Sequence, residues 1–160
     1  MEKKIDMGIQ GTSMAPLISA EDHITLHLLE TVNLKSGDII AFWACDSIVV
    51  HRLIMKKRRD ANLWLCQKGD NVSAWSWIPE SEVLGRVEII RGADRALIMS
   101  RLPWTVINPA LGFALSLWIR VQERAQSRET EAVDIRFKAV FFRVGNEILR
   151  CTLGSLLGLL

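Results

Sequence analysis

Between residues 22 and 90 the apolar side chains come in short runs with a period of two, and this pattern constrains the fold more than any other feature. In DHITLHLL (22–29), Ile24, Leu26 and Leu28 point one way while His23, Thr25 and His27 point the other. A helix would scatter these residues around its circumference, whereas a strand sorts them onto two faces. LKSGD follows, with turn chemistry at Ser36-Gly37-Asp38. IIAFW (39–43) reads as the next strand, CDS (45–47) as a tight reversal, and the β-branched run IVVHRLIM (48–55) as a third strand. KKRRDAN (56–62) is expected at a solvated hairpin tip, LWLCQ (63–67) pairs back as a fourth strand, and KGDN (68–71) turns again. VLGRVEII (83–90) reads as the last strand. The expectation is a mainly β domain over residues 1–100.

The remainder has a different character. The chain has 160 residues, 49% of them hydrophobic, and much of the surplus lies in this tail. From Leu102 to Ile119 no residue is charged, and Arg101 and Arg120 bracket the run. Its length is at the lower edge for a membrane span. Pro103, Asn108 and Pro109 weaken that reading, and a buried or interfacial helix starting near Pro109 is the competing one. ERAQSRETE (123–131) reads as a polar connector. In 133–150, Phe137, Val140, Phe141, Val144 and Ile148 recur at helical spacing and predict an amphipathic helix, which TLGSLLGLL (152–160) extends. Residues 101–160 are therefore expected to form a helical tail, with a membrane surface as a possible partner through 102–160.

Several classes of function find no support. The net charge of +2 gives no electrostatic case for nucleic acid. Cys45, Cys66 and Cys151 are too few and too widely spaced for a disulfide framework or a zinc knuckle, so reduced thiols and no metal are expected. His23 and His27 have H-x-x-x-H spacing, but on a strand they stand about 13 Å apart and cannot share an ion. MEKKIDMGIQ has no apolar run behind its lysines, so no secretory leader is read there and the cytoplasmic side is expected.

The candidate chemistry lies in GTSMAP (11–16). A serine hydroxyl is a weak nucleophile until a base takes its proton, and histidine is the first choice of base near neutral pH. His51, inside the apolar strand, is the third histidine; taken alone it reads as an outward-facing strand residue. Trp75 and Trp77 read as core or rim packing, or as walls of a cleft.

Read in order, GTSMAP, SGDII, VVHRLI, QKGDN and VLGRV resemble the signal peptidase I superfamily of serine peptidases, which includes the self-cleaving SOS repressors. Val50-His51-Arg52 resembles the branch from the endoplasmic reticulum and archaea, whose base is histidine rather than lysine. The resemblance covers residues 9 to about 90. It implies a coiled β-ribbon fold and endopeptidase activity on an extended peptide segment of a protein, without a cofactor. It implies Ser13 as nucleophile and His51 as general base, in a loop shaped by Gly11, Thr12, Met14 and Pro16. The Ser13 N–H would be one oxyanion donor; Gly11 stands where some members have a serine that supplies a second. The branch often carries an aspartate that orients the histidine, at a position occupied here by Ser76, so Asp70 is the remaining candidate. Glu21-Asp22 stands where the family usually has Gly-Asp. Two alternatives remain: a catalytically weakened module that binds a peptide or protein partner, and a self-cleaving repressor, which would need a DNA-binding segment not read here.

Overall fold

The computed structural model describes residues 3–128, with side chains through residue 124. Eight strands and one long helix account for most of that span: β1 (Lys4–Gly8), β2 (His23–Leu28), β3 (Ile39–Ala44), β4 (Ser47–Arg59), β5 (Asn62–Lys68), β6 (Trp75–Pro79), β7 (Val83–Arg91), β8 (Ala96–Ile98) and α1 (Trp104–Arg128). Every pairing is antiparallel, in the order β1-β2-β7-β3-β4-β5-β6, with β8 added to β7. The chain is thus mainly antiparallel sheet with a C-terminal helix.

The period-two runs fall on β2, β3, β4, β5 and β7 as expected. Three strands do not follow from that pattern. β1 is mostly exposed, and its alternation of Ile5 and Met7 against Lys4, Asp6 and Gly8 is too short to stand out in the sequence. β6 lies in NVSAWSWIP, where polar turn residues obscure the alternation of Trp75, Trp77 and Pro79 against Ser76 and Ile78. β8 follows β7, so VLGRVEII is not the last strand. The KKRR segment is also not a tip. β4 stays paired to Arg59, and only Asp60 and Ala61, both at positive φ, make the turn. Arg59 lies over the Trp77 ring at 5.2 Å, and Lys56 Nζ donates to the carbonyl of Leu34 at 2.8 Å.

Two layers of core follow from the strand alternation. Met14, Leu17, Ile18, Ile24, Leu26, Ala41, Val50 and Val87 pack with Trp104 in one cluster. Ile40, Phe42, Leu53 and Leu65 form another on the opposite face of β3 and β4. A third cluster joins Ile54 and Cys66 to Leu115 and Ile119 of α1, with Trp75 and Trp77 packed against it. The two tryptophans are therefore packing residues.

α1 begins five residues before the expected start at Pro109. Trp104 is only 2% exposed and anchors the first turn in the core. Thr105, Val106 and Ile107 donate to the carbonyls of Arg101 and Pro103. Pro109 removes one hydrogen bond inside the helix but does not end it. The expected connector at 123–131 is helical through Arg128 because its residues are mostly good helix formers. The predicted helix at 133–150, its extension and Cys151 lie outside the described residues.

The helix crosses the SGD turn at very short range. A Cβ on Gly37 would stand 2.0 Å from the Asn108 carbonyl oxygen, and one on Gly112 would stand 2.4 Å from the Gly37 nitrogen. Gly37 also has φ +94, so both its conformation and its contact require glycine. By length and composition α1 is apolar enough to cross a membrane over Trp104–Arg124; 28% of that window is buried against the sheet.

Candidate active site

The loop that carries Ser13 leaves β1 at Gly8 and is closed locally. Gly11 has φ +100, the left-handed region, and turns the chain. Ala15 N–H donates to Thr12 O at 3.1 Å and Ile18 N–H to Met14 O at 3.0 Å. Met14, Leu17 and Ile18 are buried and pin the loop, leaving Ser13 half-buried. Asp22 finishes it, accepting from Ser19 N–H at 2.9 Å and from Arg95 at 3.1 Å. Glu21 holds φ 75 beside it, a conformation that costs a glycine little and a glutamate more.

The KGDN turn then grips this loop. Asn71 N–H donates to Ser13 O at 2.8 Å, and Asn71 Nδ2 donates to Thr12 O at 3.1 Å. Gly69 permits the approach. A Cβ there would stand 2.7 Å from Ser13 O and 2.9 Å from His51 Nε2. The serine loop and the imidazole therefore converge on one point above Gly69.

His51 is held by residues on its own face of the sheet. Its Nδ1 meets Gln67 Oε1 at 2.5 Å, and Gln67 Nε2 donates to Ser76 Oγ at 2.6 Å. With the amide in that orientation, Nδ1 carries the proton and the Nε2 lone pair points toward Gly69. The ring also stands edge-on to Phe42, centroids 6.0 Å apart. Burial pushes its pKa below the usual histidine value, against the Gln67 hydrogen bond and the field of Asp70, which raise it. The imidazole is thus neutral at neutral pH, the form a general base needs. Among the described residues, Ser13 Oγ makes no direct hydrogen bond to His51, and the Ser13 N–H donates to no other group.

Asp70 does not orient His51. Its carboxylate is bound by Arg52, Nε to Oδ1 at 2.8 Å and Nη2 to Oδ2 at 2.7 Å, with both side chains fully buried. The reason is strand alternation: His51 and Arg52 are adjacent, so they face opposite sides of β4. Arg52 Nη1 also donates to Gly37 O and to Asn108 Oδ1, each at 2.8 Å. One guanidinium thus joins the SGD turn, the KGD turn and α1. Lys68 is buried on the same side, Nζ donating to Gly69 O at 3.0 Å, and its pKa is lowered by desolvation.

Gln67 was not singled out from the sequence, and Asn108 figures there only as a polar residue that weakens a membrane span. Gln67 could have been: it shares parity with Leu63 and Leu65, so a polar group replaces an apolar one on an inward face. Asn108, a polar residue in the apolar run, accepts a hydrogen bond from Arg52.

Beside Ser13 a groove of about 620 Å³ runs between Met7–Gly11 and the β3–β4 hairpin from Trp43 to Val50. Other candidate residues do not join the site. His27 Nδ1 lies 2.9 Å from Glu88 Oε1, and His23 is exposed. Cys66 is a buried thiol whose pKa is pushed up to about 12, and Cys45 is exposed. Among the described residues no three His, Cys, Asp or Glu side chains are grouped to hold a metal ion. No protein-family model matches the chain, and no curated protein matches it.

Proposed function

We propose that the chain is a serine endopeptidase of signal-peptidase type, built on that family's coiled β-ribbon, with Ser13 as nucleophile and His51 as general base. The observation that carries this reading is the convergence at Gly69 of the Ser13 loop and the unprotonated nitrogen of His51. Residues 13, 51 and 67–71 meet there from three separate segments.

Substrate enters as an extended peptide in the groove. Among the described residues β1 is paired only to β2, and Ser47–His51 of β4 are paired only to β3, because β5 joins β4 from Arg52 onward. Each therefore has an unused edge for main-chain hydrogen bonds. As the peptide seats, Ser13 Oγ closes on His51 Nε2; such contacts commonly tighten only in the substrate complex. The oxygen attacks the scissile carbonyl while His51 takes its proton. The free Ser13 N–H faces the developing oxyanion, a contribution of about 3 kcal/mol. His51 then protonates the leaving amine, and water repeats the sequence on the acyl-enzyme. Gln67 holds the productive tautomer throughout, without the charge that a carboxylate would supply.

The enzyme works on the cytoplasmic side, and the outward residues Val106, Phe113, Leu117 and Val121 of α1 rest against a membrane surface. Incubating the full chain with an extended peptide library tests the activity. Cleavage by wild type and its loss in Ser13→Ala is the expected result; equal cleavage by both would remove Ser13 from the mechanism. A second reading, a peptide-binding module without chemistry, draws on the open Ser13–His51 contact and the neutral partner at Nδ1. It requires that wild type and Ser13→Ala bind peptide equally, that neither cleaves it, and that a serine-reactive probe leaves Ser13 unlabelled.

A further inference from the structure

The groove is apolar beside Ser13 but not at its far end. There the β3–β4 hairpin turns through Cys45 and Asp46, and Asp46 lines the groove. Among the described residues it is the only charged one that does so. It is exposed, and among the described residues it has no ion-pair partner. Next to it stand Trp43 and Ile48, cross-strand partners on one face of the hairpin. Both are large apolar side chains left in the open, at 46% and 38% exposure. The same face further along, at Ala41 and Val50, is sealed into the core. An aromatic plane and an aliphatic side chain leading to an unpaired carboxylate suit one kind of side chain: a long stem ending in a cation.

We propose that Trp43, Ile48 and Asp46 form a subsite for a lysine or arginine of the substrate. The proposal rests on the peptidase reading above and names the sequence that the groove selects. The stem lies along Trp43 and Ile48, and the cationic head meets Asp46. The position follows from strand geometry. Four residue steps along β4 separate His51 from Ser47, about 13 Å at the rise of an extended strand, and Asp46 is one residue beyond. A peptide paired along this edge therefore presents the basic residue about four to five positions from the scissile bond. Arginine adds stacking on Trp43 to the ion pair and is preferred over lysine.

The experiment uses the full chain and a set of extended peptides differing only in the residue at each position within six of the cleaved bond. Cleavage is read by mass spectrometry, and binding by fluorescence anisotropy on the Ser13→Ala variant. Arginine or lysine at the fourth or fifth position should raise kcat/KM over glutamate by about 3- to 30-fold, from one exposed ion pair plus one cation–π contact. The preference should shrink in Asp46→Asn, reverse in Asp46→Lys, and weaken in Trp43→Leu. Cleavage without a basic preference, or with one that Asp46→Asn leaves intact, overturns the subsite and leaves the peptidase reading standing. No cleavage, but binding that favours the basic peptide and depends on Asp46, keeps the subsite and overturns the peptidase reading. Absence of both cleavage and selective binding overturns the two together.

Discussion

Replacing Arg52 tests whether the buried ion pair organises the site. Arg52→Met keeps an unbranched stem of about the length of the arginine's aliphatic part and removes the guanidinium. It deletes two hydrogen bonds to Asp70 and one each to Gly37 O and Asn108 Oδ1. The larger effect is what remains. Asp70 is 1% exposed and would keep a carboxylate without its bidentate partner. Removing one member of a buried pair costs about 3–5 kcal/mol, because the other charge is left uncompensated. Lys68 lies near enough to feel Asp70 and can take over part of that charge, which places the cost toward the lower end. Against a typical stability of about 5–15 kcal/mol, this is a large fraction. Urea unfolding followed by tryptophan fluorescence measures it, since six tryptophans report on the fold. The double variant Arg52→Met, Asp70→Leu removes both charges and should recover most of the loss. A cost below about 1 kcal/mol for Arg52→Met, or no recovery in the double variant, would refute the reasoning.

Four further outcomes follow from the same contacts. The acid limb of kcat/KM should have its midpoint below 6.5, because burial disfavours the imidazolium of His51, and Gln67→Glu should move that limb upward by placing a carboxylate at Nδ1. Gly69→Ala should lower activity by 10²-fold or more for about 1–3 kcal/mol of stability, since its Cβ would push apart Ser13 O and His51 Nε2; activity assays beside urea titrations separate the two. Lys68 is desolvated and its folded pKa lies below the unfolded value, so the unfolded chain binds more protons between the two. Stability should therefore rise with pH over that window, and unfolding curves of Lys68→Met should lose the slope. A double-mutant cycle on peptide cleavage between Asn108→Ala and Asn71→Ala should be non-additive by about 0.5–3 kcal/mol, because both ends act on the turn that Arg52 holds; simple additivity would mean that α1 and the Ser13 loop are independent.

The strands that carry the site were legible because burial on one face forces a period of two. β2, β3, β4, β5 and β7 each bury such a face, and each was read within a few residues. β1 was not, because only Met7 of this short edge strand packs on the core while Ile5 stays exposed, and hydrogen bonds to β2 do most of the holding. The same distinction divides the site. Ser13 and His51 stand in motifs with a recognisable order. Asp70 pairs with Arg52 and not with His51, and its neighbours in sequence do not reveal which face of the sheet the turn presents it to. The alternation of β4 would have supplied part of that answer: if His51 faces Ser13, the next residue must face away, and a buried arginine needs a carboxylate. The start of α1 was misplaced because Pro109 is a strong local signal against a helix, while the burial of Trp104 is a tertiary effect that no local pattern contains.

The adjacency of His51 and Arg52 gives β4 two functions at one point. An antiparallel strand between two layers must send successive side chains to opposite layers, so this dipeptide reaches both. On one side the imidazole meets Gln67, and its free nitrogen points to the Ser13 loop. On the other the guanidinium meets Gly37 O, Asp70 and Asn108. Asp70 lies between Gly69 and Asn71, the two residues that touch the Ser13 backbone. The turn that sets the serine is therefore held from behind by a charge buried under α1. Burying an arginine and a carboxylate is a costly way to gain stability, and apolar residues of similar volume commonly do as well. What the ion pair adds is direction: bidentate geometry fixes the turn in one orientation, and the proposed nucleophile and base would need that more than they need stability.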